Sequence, residues 1–499
     1  MPAEGSSSPA KAKPGFLRHV AILFGATATS QLVGILATPF LSRIFAPEAF
    51  GLLALFLAYG TIVGTVSCLR YDYAVMLPAD DDEAASLLAL SVLVATTVAL
   101  LCAMGQWAFG DTLLRATGAA GLAPYFGLVP AFIWLTGISQ AFRQWFARKE
   151  RFGDLAAFQL LRGTTTPLAA IAAGLAAHTG PAGLLFGRFV GLILQTAALG
   201  RALVQNFPRP LTAALRPAPL WRAARRHWRF PLLDTTSVFV FNVGKEAPVF
   251  LFTLYLGETV TGYYGLTILV LQAPASMVLA AVGQVLFQVA SARHAAGEAI
   301  GGLLAETLRQ TLTLATLPVV VLGACGPTLF AFAFGSRWRE AGLYAAILSP
   351  WLLSFVLSNA TAVLFRTLER QDLDLLANLA LLVVRIGALW VGTQLFDSAV
   401  IAIALMSGAS ALVNFRRVGF LLRETRTEPG PLIRHGAAQA ALAIPAALAV
   451  VGTDTVLGLA PLWVLGAATL GAVPYAIGSA KRDPALLLRL QNALASRAR

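Results

Sequence analysis

Four basic residues lie inside long apolar stretches of this sequence, where a charge is energetically costly. They are Arg162, Arg188, Lys245 and Arg385. If these stretches cross a membrane, each charge costs a few kcal/mol at least, so each residue is a functional candidate. Arginine presents a planar fork of donors that matches phosphate oxygens. The set predicts an interior that attracts an anion, and it favours a phosphate-bearing ligand over an organic cation.

Each basic residue also has a structural interpretation. Arg385 lies roughly 15 Å deep in its stretch by helical rise, which favours cavity lining over an internal ion pair. Arg162 and Arg188 are predicted within about 10 Å of opposite ends of two spans, where their side chains could equally snorkel to the interface. Lys245 and Glu246 point about 100° apart on a helix, which predicts a poor mutual salt bridge.

Two acidic residues also fall inside apolar stretches, Asp234 and Glu246. A half-buried carboxylate can titrate near neutral pH, so both are candidate cation-coupling groups. Glu246 could equally neutralise a neighbouring Arg or Lys. The sequence leaves these two roles open.

The amino-acid composition indicates whether these residues lie in a soluble protein or in a membrane protein. Hydrophobic residues make up 57% of the 499 and charged residues 12%, against about 25% charged residues in a globular domain. A soluble protein would need more polar surface, which excludes an ordinary cytosolic enzyme, a nucleic-acid-binding domain and a disordered scaffold. We therefore expect an all-α, polytopic membrane protein. The formal net charge of +13 then indicates basic loops that face the cytoplasm and anionic lipid.

A spanning helix needs about 20 mostly apolar residues, and about fourteen stretches meet that length. They are roughly 20–42, 51–69, 84–105, 124–146, 155–177, 182–203, 231–256, 263–290, 308–333, 343–366, 375–396, 398–421, 437–458 and 461–480. With the N-terminus inside, most of the 37 Lys and Arg residues fall in inner segments. The positive-inside rule therefore predicts that both termini are cytoplasmic.

A proline-rich linker with a basic amphipathic helix separates six spans from the next six, and this helix is predicted to lie on the inner leaflet. A weak internal repeat supports two halves: 46–51 and 257–262 both follow odd spans, at an offset of 211 that places Gln31 opposite Asn242. Repeated halves are common in transporters. The predicted domains are an N-terminal lobe of spans 1–6 at 1–203, a cytoplasmic amphipathic linker at 204–230, a C-terminal lobe of spans 7–12 at 231–421, two additional spans at 422–480 and a basic amphipathic tail at 481–499.

Motifs for catalysis are absent from the sequence. It contains no P-loop, HExxH or GxSxG motif, and its three cysteines, all in apolar runs, are interpreted as small core residues. We expect no metal, no cofactor and no enzymatic activity. No predicted outside loop exceeds about twenty residues, which counts against a membrane glycosyltransferase or polymerase.

Stretches in the first fifth of the chain resemble a known transporter family. Residues 41–56 (LSRIFAPEAFGLLALF) and 69–84 (LRYDYAVMLPADDDEA) are similar to the bacterial polysaccharide (O-antigen type) flippases of the multidrug/oligosaccharidyl-lipid/polysaccharide exporter superfamily. Shorter matches are 230–232 (FPL), 282–287 (VGQVLF) and 368–371 (LERQ). The resemblance runs through spans one to twelve.

The resemblance implies two six-helix lobes around a central cavity that opens alternately to each side, with two C-terminal helices beside them. It implies a substrate glycan on an undecaprenyl pyrophosphate carrier, moved from the inner to the outer leaflet of the bacterial inner membrane for polysaccharide biosynthesis. Membrane lipids, a polysaccharide polymerase and glycosyltransferases are the other partners that it suggests, and no nucleic acid is expected. Coupling to protons, to sodium or to neither stays open.

With this substrate, the predicted binding residues are Arg162, Arg188, Lys245, Arg385, Gln31, Asn242 and Arg70. The basic residues within the spans would bind the diphosphate or acidic sugars, the amides would contact sugar hydroxyls, and Arg70 would meet the pyrophosphate at the inner mouth. Asp234 and Glu246 would balance charge or bind a cation. The alternatives are a cation-coupled small-molecule or drug exporter of the same superfamily, whose cavity should be acidic or aromatic, and a membrane glycosyltransferase or polymerase.

Overall fold

The structure is a computed structural model, which describes residues 14–177, 180–206, 217–228, 230–296 and 298–455 together with Tyr475. Every regular element within these residues is helical, which confirms the all-α prediction. The predicted fourteenth span lies outside the described residues apart from Tyr475, and the basic tail lies outside them entirely.

The helices follow the predicted spans closely, because long apolar stretches without interruption favour helix when the backbone must satisfy its own hydrogen bonds. They are α1 Pro14–Ile44, α2 Pro47–Thr65, α3 Tyr71–Ala74, α4 Asp81–Ala116, α5 Ala123–Phe126, α6 Val129–Arg148, α7 Phe152–Ala177, α8 Pro181–Asn206, α9 Pro217–Arg226, α10 Thr235–Ala295, α11 Gly301–Phe334, α12 Arg339–Ile347, α13 Ser349–Thr361, α14 Val363–Thr367, α15 Gln371–Gln394, α16 Ala399–Glu424 and α17 Pro429–Thr455.

Seven of the described helices are long and apolar enough to cross a membrane, or nine if each of two bent pairs is one span. The bent pairs are Ala120–Phe126 with Val129–Arg148, at 59°, and Ser336–Ile347 with Ser349–Thr367, at 53°. In each pair a proline stands at the start of the second helix, where its missing N–H costs no helical hydrogen bond. The protein is therefore a multi-span helical membrane protein, and the count of fourteen spans stays a prediction.

The predicted seventh and eighth spans run together in α10, with one break at Gly257. The φ of Gly257 is 84° and its ψ is 177°, a combination that only glycine adopts without strain. A single residue therefore turns the chain where the sequence predicted a loop at 257–262.

The chain divides into two compact units. The first comprises Met1–Ile44, Tyr59–Gly110 and Pro124–Phe239, and the second comprises Phe45–Ala58, Asp111–Ala123 and Val240–Arg499. The second unit therefore takes two short segments from the N-terminal half of the sequence.

The core of the first unit is built where α3, α4, α6 and α9 meet. Trp145 and Phe146 are almost completely buried there, together with Leu87 and Leu88. Burial of a large side chain contributes about 1.5–3 kcal/mol in water, and in lipid the close packing of such side chains supplies most of the association between helices. This core fixes the C-terminal end of α6, which carries Arg143 and Arg148.

The amphipathic linker helix α9 packs one face on this core. Ala223 is buried, the Tyr71 hydroxyl donates to the Ala224 carbonyl at 3.3 Å, and Arg226 donates to the Glu83 carboxylate at 2.9 Å. On the opposite side Trp221 is 71% exposed. A helix with one packed face and an exposed edge of tryptophan and arginine suits a membrane surface, so the inner-leaflet prediction is retained as a proposal.

Arg148 holds the loop between α3 and α4 through several hydrogen bonds. Its Nη1 donates to the carbonyls of Pro78, at 2.6 Å, and Val75, at 3.2 Å. Its Nη2 donates to the Ala79 carbonyl at 3.3 Å and to the Asp81 carboxylate at 3.1 Å. The Arg148 side chain is only 11% exposed. Val75 and Pro78 are buried, so their carbonyls share this donor and have little access to water, whereas Ala79 and Asp81 are exposed.

We expect Arg148→Ala to lower the free energy of unfolding by about 2–4 kcal/mol, because it leaves the carbonyls of the buried residues Val75 and Pro78 without this donor. Thermal denaturation in detergent would measure the loss. The matched control is Arg151→Ala, since Arg151 is 38% exposed and forms one ion pair, with Asp154, and should cost about 1 kcal/mol or less. Equal losses for the two variants would contradict the role assigned to Arg148.

Candidate functional site

Three arginines of the first unit form one cluster, the three-arginine cluster: Arg143 on α6, Arg162 on α7 and Arg188 on α8. All three are half-buried, and Arg162 interacts electrostatically with both of the others. Like charges repel, and the repulsion grows as water is removed. Their juxtaposition therefore opposes folding unless negative charge is supplied.

Close packing of α7 on α8 brings Arg162 and Arg188 together. A β-carbon added at Gly187 would lie 2.5 Å from the Thr166 carbonyl oxygen, and one added at Gly191 would lie 3.3 Å from the Arg162 carbonyl oxygen. Small residues at such crossings let two backbones approach closely. Arg162 lies deeper in its helix than expected, because α7 begins at Phe152, whereas Arg188 lies near the start of α8 as expected. The two side chains are nevertheless within electrostatic reach of each other.

The Arg162 side chain is oriented by a buried amide rather than by the membrane surface. Its Nη1 donates to Oε1 of Gln195 at 3.4 Å, and Gln195 is only 2% exposed. Ser139 donates to the same oxygen at 3.3 Å, and Gln195 Nε2 donates to the Phe158 carbonyl at 3.3 Å. This network holds the guanidinium toward the helix bundle, which favours cavity lining over snorkelling.

The cluster has too little negative charge of its own. Asp72, from α3, interacts electrostatically with Arg143 and accepts a hydrogen bond from Gln140 Nε2 at 3.0 Å. Burial raises the pKa of the Asp72 carboxyl, while the Gln140 hydrogen bond and the charge of Arg70 lower it. Within the described part of the chain, neither Arg162 nor Arg188 has a carboxylate within ion-pair distance.

Arg70 lies beside this cluster, in the turn before α3. Its φ is 59°, in the left-handed region that is uncommon for residues other than glycine. Its guanidinium carbon lies 3.8 Å from the centroid of the Tyr73 ring, a cation–π distance. The ring holds the Arg70 side chain over the loop, next to the buried Asp72.

In the second unit, Lys245 and Glu246 form an ion pair with 3.1 Å between Nζ and Oε1. The prediction of a poor mutual salt bridge was therefore wrong. The helix does separate the two Cβ directions, but the flexible four-carbon stem of lysine reaches around it. The Lys245 side chain is 44% exposed and that of Glu246 is 14% exposed, so Lys245 is the more accessible member.

Arg385 lies in the same unit, on α15. Its Nε donates to Oγ of Ser410 at 3.3 Å, and it interacts electrostatically with the buried Tyr264, which also interacts with Glu246. Arg385 forms no ion pair with a described carboxylate. Tyr264 therefore lies within electrostatic range of both Arg385 and Glu246.

The remaining predicted site residues are spread over both units. Gln31 is half-buried on α1 in the first unit, and Asn242 is half-buried on α10 in the second. Asp234 ends the π-helical turn Phe230–Asp234, and its side chain lies outside the described part of the structure. Their predicted roles stay predictions.

Sequence reasoning missed Arg143, Gln195 and Asp72. Arg143 lies near the end of the predicted span 124–146 and was not among the candidate residues; α6 continues to Arg148 and keeps Arg143 within the helix. Its spacing of four residues from Ser139 would have placed both on one helix face. No local signal marks Gln195, because its partners come from α6 and α7.

Side chains that could bind a metal ion do not form a cluster in the described part of the chain. Over the described ranges, no group of three or more His, Cys, Asp or Glu side chains is arranged to hold a metal ion.

Comparisons with known proteins were made for the whole chain. The model of the family described as "Polysaccharide biosynthesis protein" matches residues 40–342. Among solved structures, the fold is similar to the lipid II flippase MurJ in an inward closed conformation, with a TM-score of 0.72 at 13% identity over 93% of this chain and 100% of that chain. It is also similar to an inward-facing multidrug resistance MATE family transporter of the MOP superfamily, with a TM-score of 0.52 at 13% identity over 83% of this chain and 95% of that one. A eukaryotic MATE transporter gives a TM-score of 0.51 at 15% identity over 85% of this chain and 99% of that one. No curated protein matches the chain.

Proposed function

This chain belongs to the polysaccharide biosynthesis protein family, and from that premise we propose that it is a flippase for a lipid-linked oligosaccharide. Its substrate is a glycan on an undecaprenyl pyrophosphate carrier, which it moves from the inner to the outer leaflet of the bacterial inner membrane by alternating access. The sugar and the pyrophosphate cross through a polar interior while the lipid tail stays in the bilayer.

The three-arginine cluster is the observation that carries this proposal. Arg162 interacts electrostatically with both Arg143 and Arg188, and Asp72 interacts with Arg143. A buried charge without a partner is costly, and a bound diphosphate supplies the missing negative charge. Its oxygens also match the planar donor fork of arginine.

The other predicted residues complete the proposed path. Arg70 meets the pyrophosphate at the inner mouth, and Lys245 and Arg385 bind the diphosphate or acidic sugars as the substrate crosses. The amides of Gln31 and Asn242 contact sugar hydroxyls. Ion coupling involves Asp234 and Glu246, and the pairing of Glu246 with Lys245 at 3.1 Å also allows it a purely charge-balancing role.

The proposal places both termini in the cytoplasm, since the positive-inside rule then accounts for most Lys and Arg residues. A polysaccharide polymerase and glycosyltransferases would work before and after the flipping step, and the protein itself would transport its substrate without chemical change.

A small-molecule exporter is the second candidate, because the fold is also similar to MATE transporters at TM-scores of 0.52 and 0.51. An exporter of organic cations needs an acidic or aromatic interior. The three-arginine cluster has the opposite charge, and for this reason we favour the flippase.

The proposal is tested in a strain that lacks the gene, by measuring which leaflet holds the lipid-linked glycan with a membrane-impermeant glycan-cleaving reagent. We expect the glycan to accumulate on the inner leaflet and to return to the outer leaflet when the wild-type protein is restored. A double variant, Lys245→Ala with Arg385→Ala, should fail to restore it. Normal outer-leaflet glycan in the deletion strain would refute the flippase, and increased drug susceptibility in that strain would point to the exporter.

A further inference from the structure

The two segments of the internal repeat pack directly against each other within the second unit. We call this packing the repeat contact, formed by residues 46–51 and 257–262. A β-carbon added at Gly51 would overlap the carbonyl oxygen of Glu258 and lie 3.1 Å from the nitrogen of Gly262. One added at Gly262 would overlap the carbonyl oxygen of Pro47 and lie 3.0 Å from the nitrogen of Gly51. Neither position has room for any side chain.

The repeat contact is reciprocal. Pro47 and Glu258 stand at the same offset of 211 as Gly51 and Gly262, so each segment presents the same carbonyl position to the other's glycine. The side chains of Glu48 and Thr259, which also differ by 211, hydrogen-bond at 2.8 Å. A contact in which the same patch meets its own equivalent is the isologous pattern of a two-fold axis, here relating two segments of one chain.

The repeat contact is closely packed but has few hydrogen bonds. Besides the hydrogen bond between Thr259 and Glu48, the Gly121 amide donates to the Glu258 carboxylate at 3.0 Å. Phe50, next to Gly51, packs edge-on against Trp338 with 5.0 Å between ring centroids. This aromatic pair adds an apolar contact beside the glycine. Close helix packing with few polar bonds holds through van der Waals contact, and such a contact can part and reform without breaking an ion pair.

We propose that the repeat contact is the outer closure of the transport path, and that it must part once in every transport cycle. The inference rests on the proposed function, because the outward placement comes from the predicted orientation, in which both segments follow spans that end outside. Gly51 and Gly262 are then positioning residues, because they determine how closely the two segments can pack. That distance decides whether the transport path is closed on the outer side.

Crosslinking tests the closure. Glu48→Cys and Thr259→Cys are introduced together after Cys68, Cys102 and Cys325 are replaced by alanine, and the pair is joined with a short thiol crosslinker that dithiothreitol cleaves. We expect crosslinking to stop the flipping of lipid-linked glycan and dithiothreitol to restore it, while Glu48→Cys alone is unaffected. Flipping at the full rate in the crosslinked protein, or failure of the pair to crosslink at all, would overturn the inference.

A second measurement needs no transport. In the same double-cysteine protein, Gly51→Leu should lower the crosslinking yield about tenfold, because the leucine side chain holds the segments apart; a tenfold change corresponds to about 1.4 kcal/mol. The matched control is Gly64→Leu, also on α2, where an added β-carbon has nothing within 4 Å. Equal yields in the two variants would refute the closure. A protein that crosslinks as expected but flips no lipid-linked glycan in any form would refute the proposed function and leave the contact established.

Discussion

Replacement of Arg162 and Arg188 together by glutamine should slow the flipping of a lipid-linked glycan about a hundredfold or more. Each charge-assisted hydrogen bond to a phosphate contributes about 1.5–3 kcal/mol, and about 1.4 kcal/mol corresponds to a factor of ten. Two such interactions lost at once therefore account for the expected factor. Flipping of a fluorescent lipid-linked glycan in proteoliposomes would measure it.

The stability of the same variant distinguishes binding from structure. Arg188 has no hydrogen bond or ion pair among the described residues, and Arg162 is held by a neutral amide at 3.4 Å. Removal of charges that lack a partner relieves repulsion, so we expect the melting temperature of the double variant to stay equal or rise. A fall in flipping that merely follows a fall in stability would contradict the binding role.

Two further variants sharpen the test. Arg162→Lys with Arg188→Lys keeps the charge but loses the planar fork, so it should restore flipping only in part. Arg201→Gln is the matched control, since Arg201 lies on α8 like Arg188 but is exposed, and it should leave the rate within about twofold of wild type. A strong effect of Arg201→Gln would mean that overall charge, and not the cluster, sets the rate.

The second large effect is expected at the crossing of α7 and α8. Gly187→Leu should prevent the two helices from packing and lower the free energy of unfolding by about 3 kcal/mol or more, beyond the usual cost of overpacking. A β-carbon at Gly187 already lies 2.5 Å from the Thr166 carbonyl oxygen and 2.8 Å from the Ala170 nitrogen. Both are backbone atoms, so no side-chain rotation can make room.

Unfolding in detergent, followed by intrinsic fluorescence, would measure the loss. Gly105→Leu on α4 is the matched control, because an added β-carbon there has nothing within 4 Å. The milder variant Gly187→Ala should be partly rescued by Ala170→Gly, since the β-carbon of Ala170 lies 2.6 Å from the added one. Additive effects of those two substitutions would show that the two positions do not share the crossing.

The variant Gly187→Ala also tests whether the packing of α7 on α8 affects the three-arginine cluster. The α7–α8 crossing places Arg162 beside Arg188, so a displaced α7 should also reduce glycan flipping in the fraction of protein that remains folded. The rate per folded molecule should fall with Gly187→Ala and stay unchanged with Gly105→Ala.

Composition and hydropathy predicted the helical membrane class of the protein and the limits of many of its helices. Hydropathy is a property of consecutive residues, and a helix in lipid satisfies its own backbone hydrogen bonds, so the limits of elements such as α8 and α16 could be predicted from local composition. Gly183, Gly187 and Gly191 recur every fourth residue, and this spacing places them on one side of a helix, as is typical of a close-packing face. The resemblance of residues 41–84 to a flippase family anticipated the family to which the chain belongs.

The packing of the helices sets which charged side chains meet, and no local pattern in the sequence predicts it. The position of Arg162 relative to Arg188 depends on how deeply α7 and α8 interdigitate, and the addition of Arg143 depends on where α6 ends; neither is encoded in a short stretch of sequence. The pairing of Lys245 with Glu246 depended on the reach of a flexible side chain, which helical geometry alone does not specify. The repeat contact was visible in the sequence as two similar segments, but its reciprocal packing arises from backbone atoms brought together across more than two hundred residues, a distance over which no local pattern carries information.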